Sequence, residues 1–249
     1  MVDNNTQRRS VLKAIGAGTA LSAVGGVAAA GGDDDEHGDD GHHDDDHDDG
    51  SRSDCAQSEC IHPVLGYSGL DPDADLAKSL RADHEVDLVT ELREDRFLPE
   101  FFFEPTGLAV EPGDVVRFNL ATPDHTVTAY HPRLGRQRRV PEDVPPLSSP
   151  VLGAEAFWLY RFDEPGVYDL LCAPHEIFGM VTRVVVGDPT PDFGEAGEGA
   201  RPPELTAALV YDDPHLDPKY IDRHGEVSWQ ELRDDSKEIL VEFPEGGEE

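Results

Sequence analysis

From His84 to Leu92 the chain alternates. Val86, Leu88, Thr90 and Leu92 fall on one side and Glu85, Asp87 and Glu91 on the other, the period-two signature of a half-buried strand. Val116, Phe118 and Leu120 alternate in the same way against Arg117 and Asn119. Pro112-Gly113 and Pro165-Gly166 have the order that suits a type II turn, proline fixing one φ and glycine taking a positive one, and each stands just ahead of a strand. Val167 to Cys172 and Val181 to Val186 read as the last two strands. With no long helical period among them, these segments predict an all-β fold, an antiparallel β-sandwich over residues 84–188.

The flanks read differently. Gln7-Arg8-Arg9-Ser10-Val11-Leu12-Lys13 precedes an uncharged stretch from Ala14 to Gly32 that reaches small residues at Ala28-Ala29-Ala30, so residues 1–30 resemble a twin-arginine export signal. An uncleaved anchor is the alternative, disfavoured because the stretch is glycine-rich and weakly apolar. Export would place the protein outside the cell or at its surface. Asp33 to Asp49 holds ten Asp, one Glu, four His (His37, His42, His43 and His47) and two Gly, with nothing apolar to bury, and residues 31–83 are expected to be a disordered linker. The histidines could hold divalent metals loosely, or the run could be a solvated spacer. Cys55 and Cys60 could close a small disulfide loop there, leaving Cys172 alone. Residues 189–249 are expected to form an acidic tail of little order, with one short helix at the capping box Ser228-Trp229-Gln230-Glu231 and partial docking through Tyr211, Tyr220 and Trp229.

Charge narrows the function. Twenty Lys and Arg against 53 Asp and Glu leave a formal charge of -33, which repels nucleic acid. Lysine is scarce, at positions 13, 78, 219 and 237, and acidic excess with little lysine resembles the proteins of extreme halophiles. Arg133, Arg136, Arg138 and Arg139 form a dense basic cluster, suited either to steering an acidic partner or to internal pairing.

The candidate chemistry lies in Cys172-Ala173-Pro174-His175-Glu176-Ile177-Phe178-Gly179-Met180. One loop between two expected strands carries a thiolate, an imidazole and a thioether, and Met180 is the sole methionine besides Met1. A second imidazole, His125, stands 47 residues before Cys172, in Thr122-Pro123-Asp124-His125-Thr126-Val127. Two imidazoles, one thiolate and a weak thioether are the donor set of a blue-copper site. Zinc has little use for the thioether, and a thiol-protease reading lacks a well-placed base and an oxyanion hole.

On these residues, and on Glu111-Pro112-Gly113-Asp114-Val115-Val116, the chain resembles the cupredoxins, in particular the plastocyanin, pseudoazurin and halocyanin group of Greek-key copper sandwiches. The resemblance spans residues 84–188 and implies one type 1 copper on His125, Cys172, His175 and Met180, carrying single electrons and catalysing no reaction itself. It further implies redox partners docking near His175, with Pro123, Pro174, Ile177 and Phe178 around it. Leu171 stands where plastocyanins have tyrosine before the ligand cysteine, and Thr126 where the family often has asparagine. A rival reading is copper storage or delivery that uses the Asp/His run. His131 shares the strand parity of His125 and is a weaker candidate for a second site, while His62, His84, His215 and His224 read as surface residues.

Overall fold

Short alternating segments separated by turns pair into two five-stranded sheets. The computed structural model describes residues 60–94, 97–197 and 199–241, so the export signal, the Asp/His run with His37, His42, His43 and His47, and Cys55 lie outside the described residues. The first sheet has the order β1 (Tyr67–Gly69), β7 (Phe157–Arg161), β5 (Val115–Leu120), β2 (His84–Glu91), β3 (Glu100–Glu104). The second runs β10 (Glu226–Val227), β4 (Gly107–Val110), β9 (Val181–Val186), β8 (Gly166–Leu171), β6 (Thr128–Ala129). Most neighbours are antiparallel, but β2 with β5 and β4 with β9 are parallel. Alternation along one strand cannot show this, because a strand's period is the same in either direction.

The expected core forms between the sheets. Val86, Leu88, Val116, Phe118 and Leu120 are buried in one cluster with Tyr168, Leu170, Val184 and Val186. Gly113 takes φ 97° in the turn ahead of β5, where Asp114 N–H donates to Glu111 O at 3.1 Å. Every residue of β8 and β9 is buried. A strand buried on both faces needs cover on both sides.

That cover corrects the expectation for residues 189–249. The described residues of this segment carry regular structure: helices α1 (Thr206–Tyr211) and α2 (Pro218–His224) precede β10, which pairs with β4. Pro218 sits at the first turn of α2 and Asp217 accepts from Lys219 N–H, a normal helix start. The Ser228 capping box is present but heads only a single 3₁₀ turn, Trp229–Glu231. Val210, Tyr211, Leu216, Ile221 and Trp229 form a second apolar cluster with Leu171, Val181 and Val185 of the sheet, and Trp229 stacks on Phe102 at 5.5 Å. Left bare, these sheet residues would expose an apolar patch to water.

The domain also begins earlier than residue 84. Trp158 Nε1 donates to Leu65 O at 2.8 Å and Tyr160 Oη to Pro63 O at 2.9 Å, while β1 pairs with β7, so residues 60–83 are part of the sandwich rather than a linker. Cys60 is disulfide-bonded and Cys172 is free, while Cys55, the other half of the possible loop, lies outside the described residues. Among the described residues no helix is long and apolar enough to cross a membrane.

Candidate metal centre

Cys172 directly follows β8, and its N–H donates to Met180 O at 2.9 Å, so the loop carrying the motif closes the β8–β9 hairpin. His175 N–H donates to Cys172 O at 3.0 Å, and a 3₁₀ turn, Glu176–Phe178, follows His175. Gly179 ends that turn at φ 90°, and a Cβ there would meet Thr206 Cγ2 at 2.8 Å, so both backbone and space demand glycine. Met180 is fully buried, and its N–H donates to His175 O at 3.3 Å.

His125 arrives from the other side, after Asp124 in a left-handed conformation at φ 69°. It is fully buried, and its Nε2 lies 2.9 Å from Thr122 Oγ1 and 3.1 Å from Thr90 Oγ1. Those hydroxyls occupy Nε2 and leave Nδ1 turned inward. Cys172 Sγ is 3.6 Å from His125 Nδ1 and 3.4 Å from His175 Nδ1, and the two Nδ1 atoms are 3.2 Å apart. A trigonal ion with bonds of about 2.0 Å to nitrogen and about 2.3 Å to sulfur would separate its donors by roughly 3.5 Å (N to N) and roughly 3.7 Å (N to S). The triangle is within a few tenths of an ångström of that, so the three side chains fit a small trigonal metal. Among the described residues they form the group of His, Cys and acidic side chains whose donor atoms all lie within 4.8 Å of one another.

Burial sets the protonation of this cluster. It pushes the Cys172 thiol up to about 11, against the opposing pull of the Thr126 and His175 hydrogen bonds. It lowers His125 to about 4, with His175 adding to the effect and Asp124 opposing it, and lowers His175 as well. Neutral imidazoles are ready to ligate, and metal binding must displace the thiol proton.

The two ligand segments are tied together by Thr126. Its N–H donates to Cys172 Sγ at 3.4 Å, and its Oγ1 accepts from Ala173 N–H at 2.8 Å. Threonine thus makes the link that the departure from asparagine left open. His175 is half-buried, stacked on Phe101 at 4.1 Å, and Phe178 lies beside both rings, 5.3 Å from Phe101 and 6.5 Å from His175. A cavity of about 370 Å³ opens beside it, lined by Thr90, Phe101, Thr122, Pro123, Asp124 and His175. Of the expected surround, Pro123 lines this opening, while Pro174 and Ile177 are exposed on the loop. The sequence alone does not single out Phe101, Thr90 or Thr122 for this site. The Phe101-Phe102-Phe103 run was the available signal, but only the pairing of β2 with β3 brings it to His175.

The remaining candidates disperse. Arg136 pairs with Glu176, Arg138 with Asp192 and Arg139 with Asp169, so three of the four clustered arginines are paired internally. His131 caps a 3₁₀ turn by accepting from Arg133 N–H at 3.1 Å, and His84, His215 and His224 bond Asp114, Asp213 and the Tyr220 carbonyl. His62 caps its own turn through Val64 N–H.

Comparison with known proteins places the chain in a family. The family described as copper binding proteins, plastocyanin/azurin family, matches residues 98–187. Pseudoazurin of Paracoccus pantotrophus is 33% identical over 128 residues, covering 51% of this chain and 79% of that protein. Pseudoazurin of Methylorubrum extorquens is 32% identical over 104 residues, covering 42% and 64%. The solved pseudoazurin of Methylobacterium extorquens AM1 aligns at 25% identity over 57% of this chain and 95% of that one, with a TM-score of 0.35. With the family match over residues 98–187 and a pseudoazurin relative 33% identical over 79% of its length, the chain belongs to the plastocyanin/azurin family of copper-binding proteins.

Proposed function

We propose that the protein is a blue-copper electron carrier whose single type 1 copper is held by His125, Cys172, His175 and Met180. The observation that carries the reading is the triangle of Cys172 Sγ and the two Nδ1 atoms, with sides of 3.2 to 3.6 Å. Copper bound there supplies one-electron chemistry, cycling between Cu(II) and Cu(I). The chain's own residues do the rest. Cys172, once deprotonated, is the strong donor, and the Thr126 N–H steadies its sulfur. The Thr90 and Thr122 hydroxyls keep His125 from rotating. Burial of Cys172, His125 and Met180 keeps water out of the site.

Only His175 reaches the outside, so its edge with Phe101, Pro123 and Phe178 is where a redox partner would dock. Leu171 is fully buried in one apolar cluster with Ala207, Val210 and Tyr211, so a second exit through that position is covered by protein. The non-enzymatic role follows from the family resemblance, whose members carry electrons. Export by the twin-arginine route, a surface or extracellular location and adaptation to high salt complete the reading, from Arg8-Arg9 and the acid excess. The rival reading, copper storage through His37, His42, His43 and His47, predicts several ions bound per chain.

The test is the visible and electron paramagnetic resonance spectrum of the copper-loaded, oxidised protein beside Cys172→Ser. An intense thiolate-to-copper band with narrow hyperfine splitting, absent from the variant, is expected. An ordinary Cu(II) signal that survives the substitution would move the metal elsewhere and favour storage.

A further inference from the structure

Carboxylates are seldom buried without a reason, and Glu176, the residue after His175, is 3% exposed. Tyr130 Oη donates to Glu176 Oε1 at 2.7 Å, and Arg136, itself largely buried, pairs with Oε2. Tyr130 follows β6, five residues after His125, and its N–H donates to Asp169 O at 3.2 Å. Arg136 is held in turn by its N–H to His131 O at 3.2 Å. The carboxylate therefore ties the loop bearing His175 to the segment bearing His125. Ala173 N–H to Thr126 Oγ1 makes the other tie, at 2.8 Å, so the loop is fixed on both sides of the ligand.

We propose that Glu176 is a positioning residue for electron transfer, fixing His175 through its bonds to Tyr130 and Arg136. The proposal rests on the reading of His175 as a copper ligand. Stability alone gives little reason to keep a buried ion pair, because well-packed apolar residues of similar volume often serve as well. Its place beside His175 supplies one. A ligand that does not move between the two copper states lowers the rearrangement each electron must wait for, and geometry that loosens by even about 1 Å is costly to rate.

The experiment compares wild type with Glu176→Gln and Tyr130→Phe, the second removing one hydroxyl in case the first fails to fold. In the metal-free proteins, amide hydrogen exchange at Phe178, Gly179 and Met180 is expected to quicken about tenfold or more, the loss of one hydrogen bond to a charged group, while Leu88 and Val116 stay protected. In the copper-loaded variants the blue band should persist, with a shifted reduction potential and slower electron self-exchange. Unchanged loop exchange, potential and self-exchange, with only global stability lowered, would overturn the proposal and leave Glu176 a packing residue. A wild type without a blue band would instead overturn the ligand reading itself, and the proposal with it.

Discussion

Asp169 offers the sharpest test of the buried charge network that joins β8 to β9. It lies in β8, fully buried, and accepts from Arg183 Nε at 2.7 Å, Arg183 Nη2 at 3.0 Å and Arg139 Nε at 2.7 Å. Arg183 is the facing residue of β9, and its Nη1 continues to Leu216 O at 2.6 Å, just ahead of α2. Asp169→Asn keeps the shape but removes the charge that the buried Arg183 and half-buried Arg139 guanidiniums share. Breaking a buried pair from one side costs about 3–5 kcal/mol, because the remaining charge cannot be rehydrated. For a chain of this size that corresponds to a fall in Tm of roughly 6–20 °C. Urea unfolding of the metal-free protein, followed by circular dichroism, measures it. Arg161→Gln is the control, since its pair with Asp163 is exposed at 47% and 55% and should contribute at most about 1 kcal/mol. High salt should weaken the control pair and leave the Asp169 effect in place. A loss below about 1 kcal/mol for Asp169→Asn would refute the reasoning and mean that the arginines find water.

Trp229→Ala should cost about 3–5 kcal/mol, as removal of a fully buried aromatic does, and should raise the protease sensitivity of residues 206–241; a loss under about 1 kcal/mol would mean that the segment is not part of the core. Thr126→Val removes the acceptor for Ala173 N–H at nearly constant volume, so about 1–3 kcal/mol of stability and a shift of the thiolate-to-copper band are expected, measured by urea unfolding and visible absorption.

Much of the site was legible because its chemistry is local. Cys172, His175 and Met180 share one loop, and thiolate, imidazole and thioether in nine residues have few other uses. His125 was legible by position, at the end of an alternating segment. Phe101 was not, since nothing in Phe101-Phe102-Phe103 says which ring turns to His175 and which to Trp229. Nor was Glu176, whose two partners come from 46 and 40 residues upstream. The C-terminal segment misled for a related reason. Its apolar residues are sparse and diluted by acid, so composition suggested disorder, whereas Val210, Tyr211, Leu216 and Ile221 become adequate only against the apolar face of β8 and β9.

The strands of the central sandwich and the chemistry of the Cys172–Met180 loop are legible in the sequence alone, because alternation and side-chain chemistry are properties of neighbouring residues. Tertiary structure alone decided the two parallel pairings, the cover over Leu171, the pairing of the arginines and the rings around His175. Those depend on which distant surfaces meet, and burial and charge pairing have no value until they do.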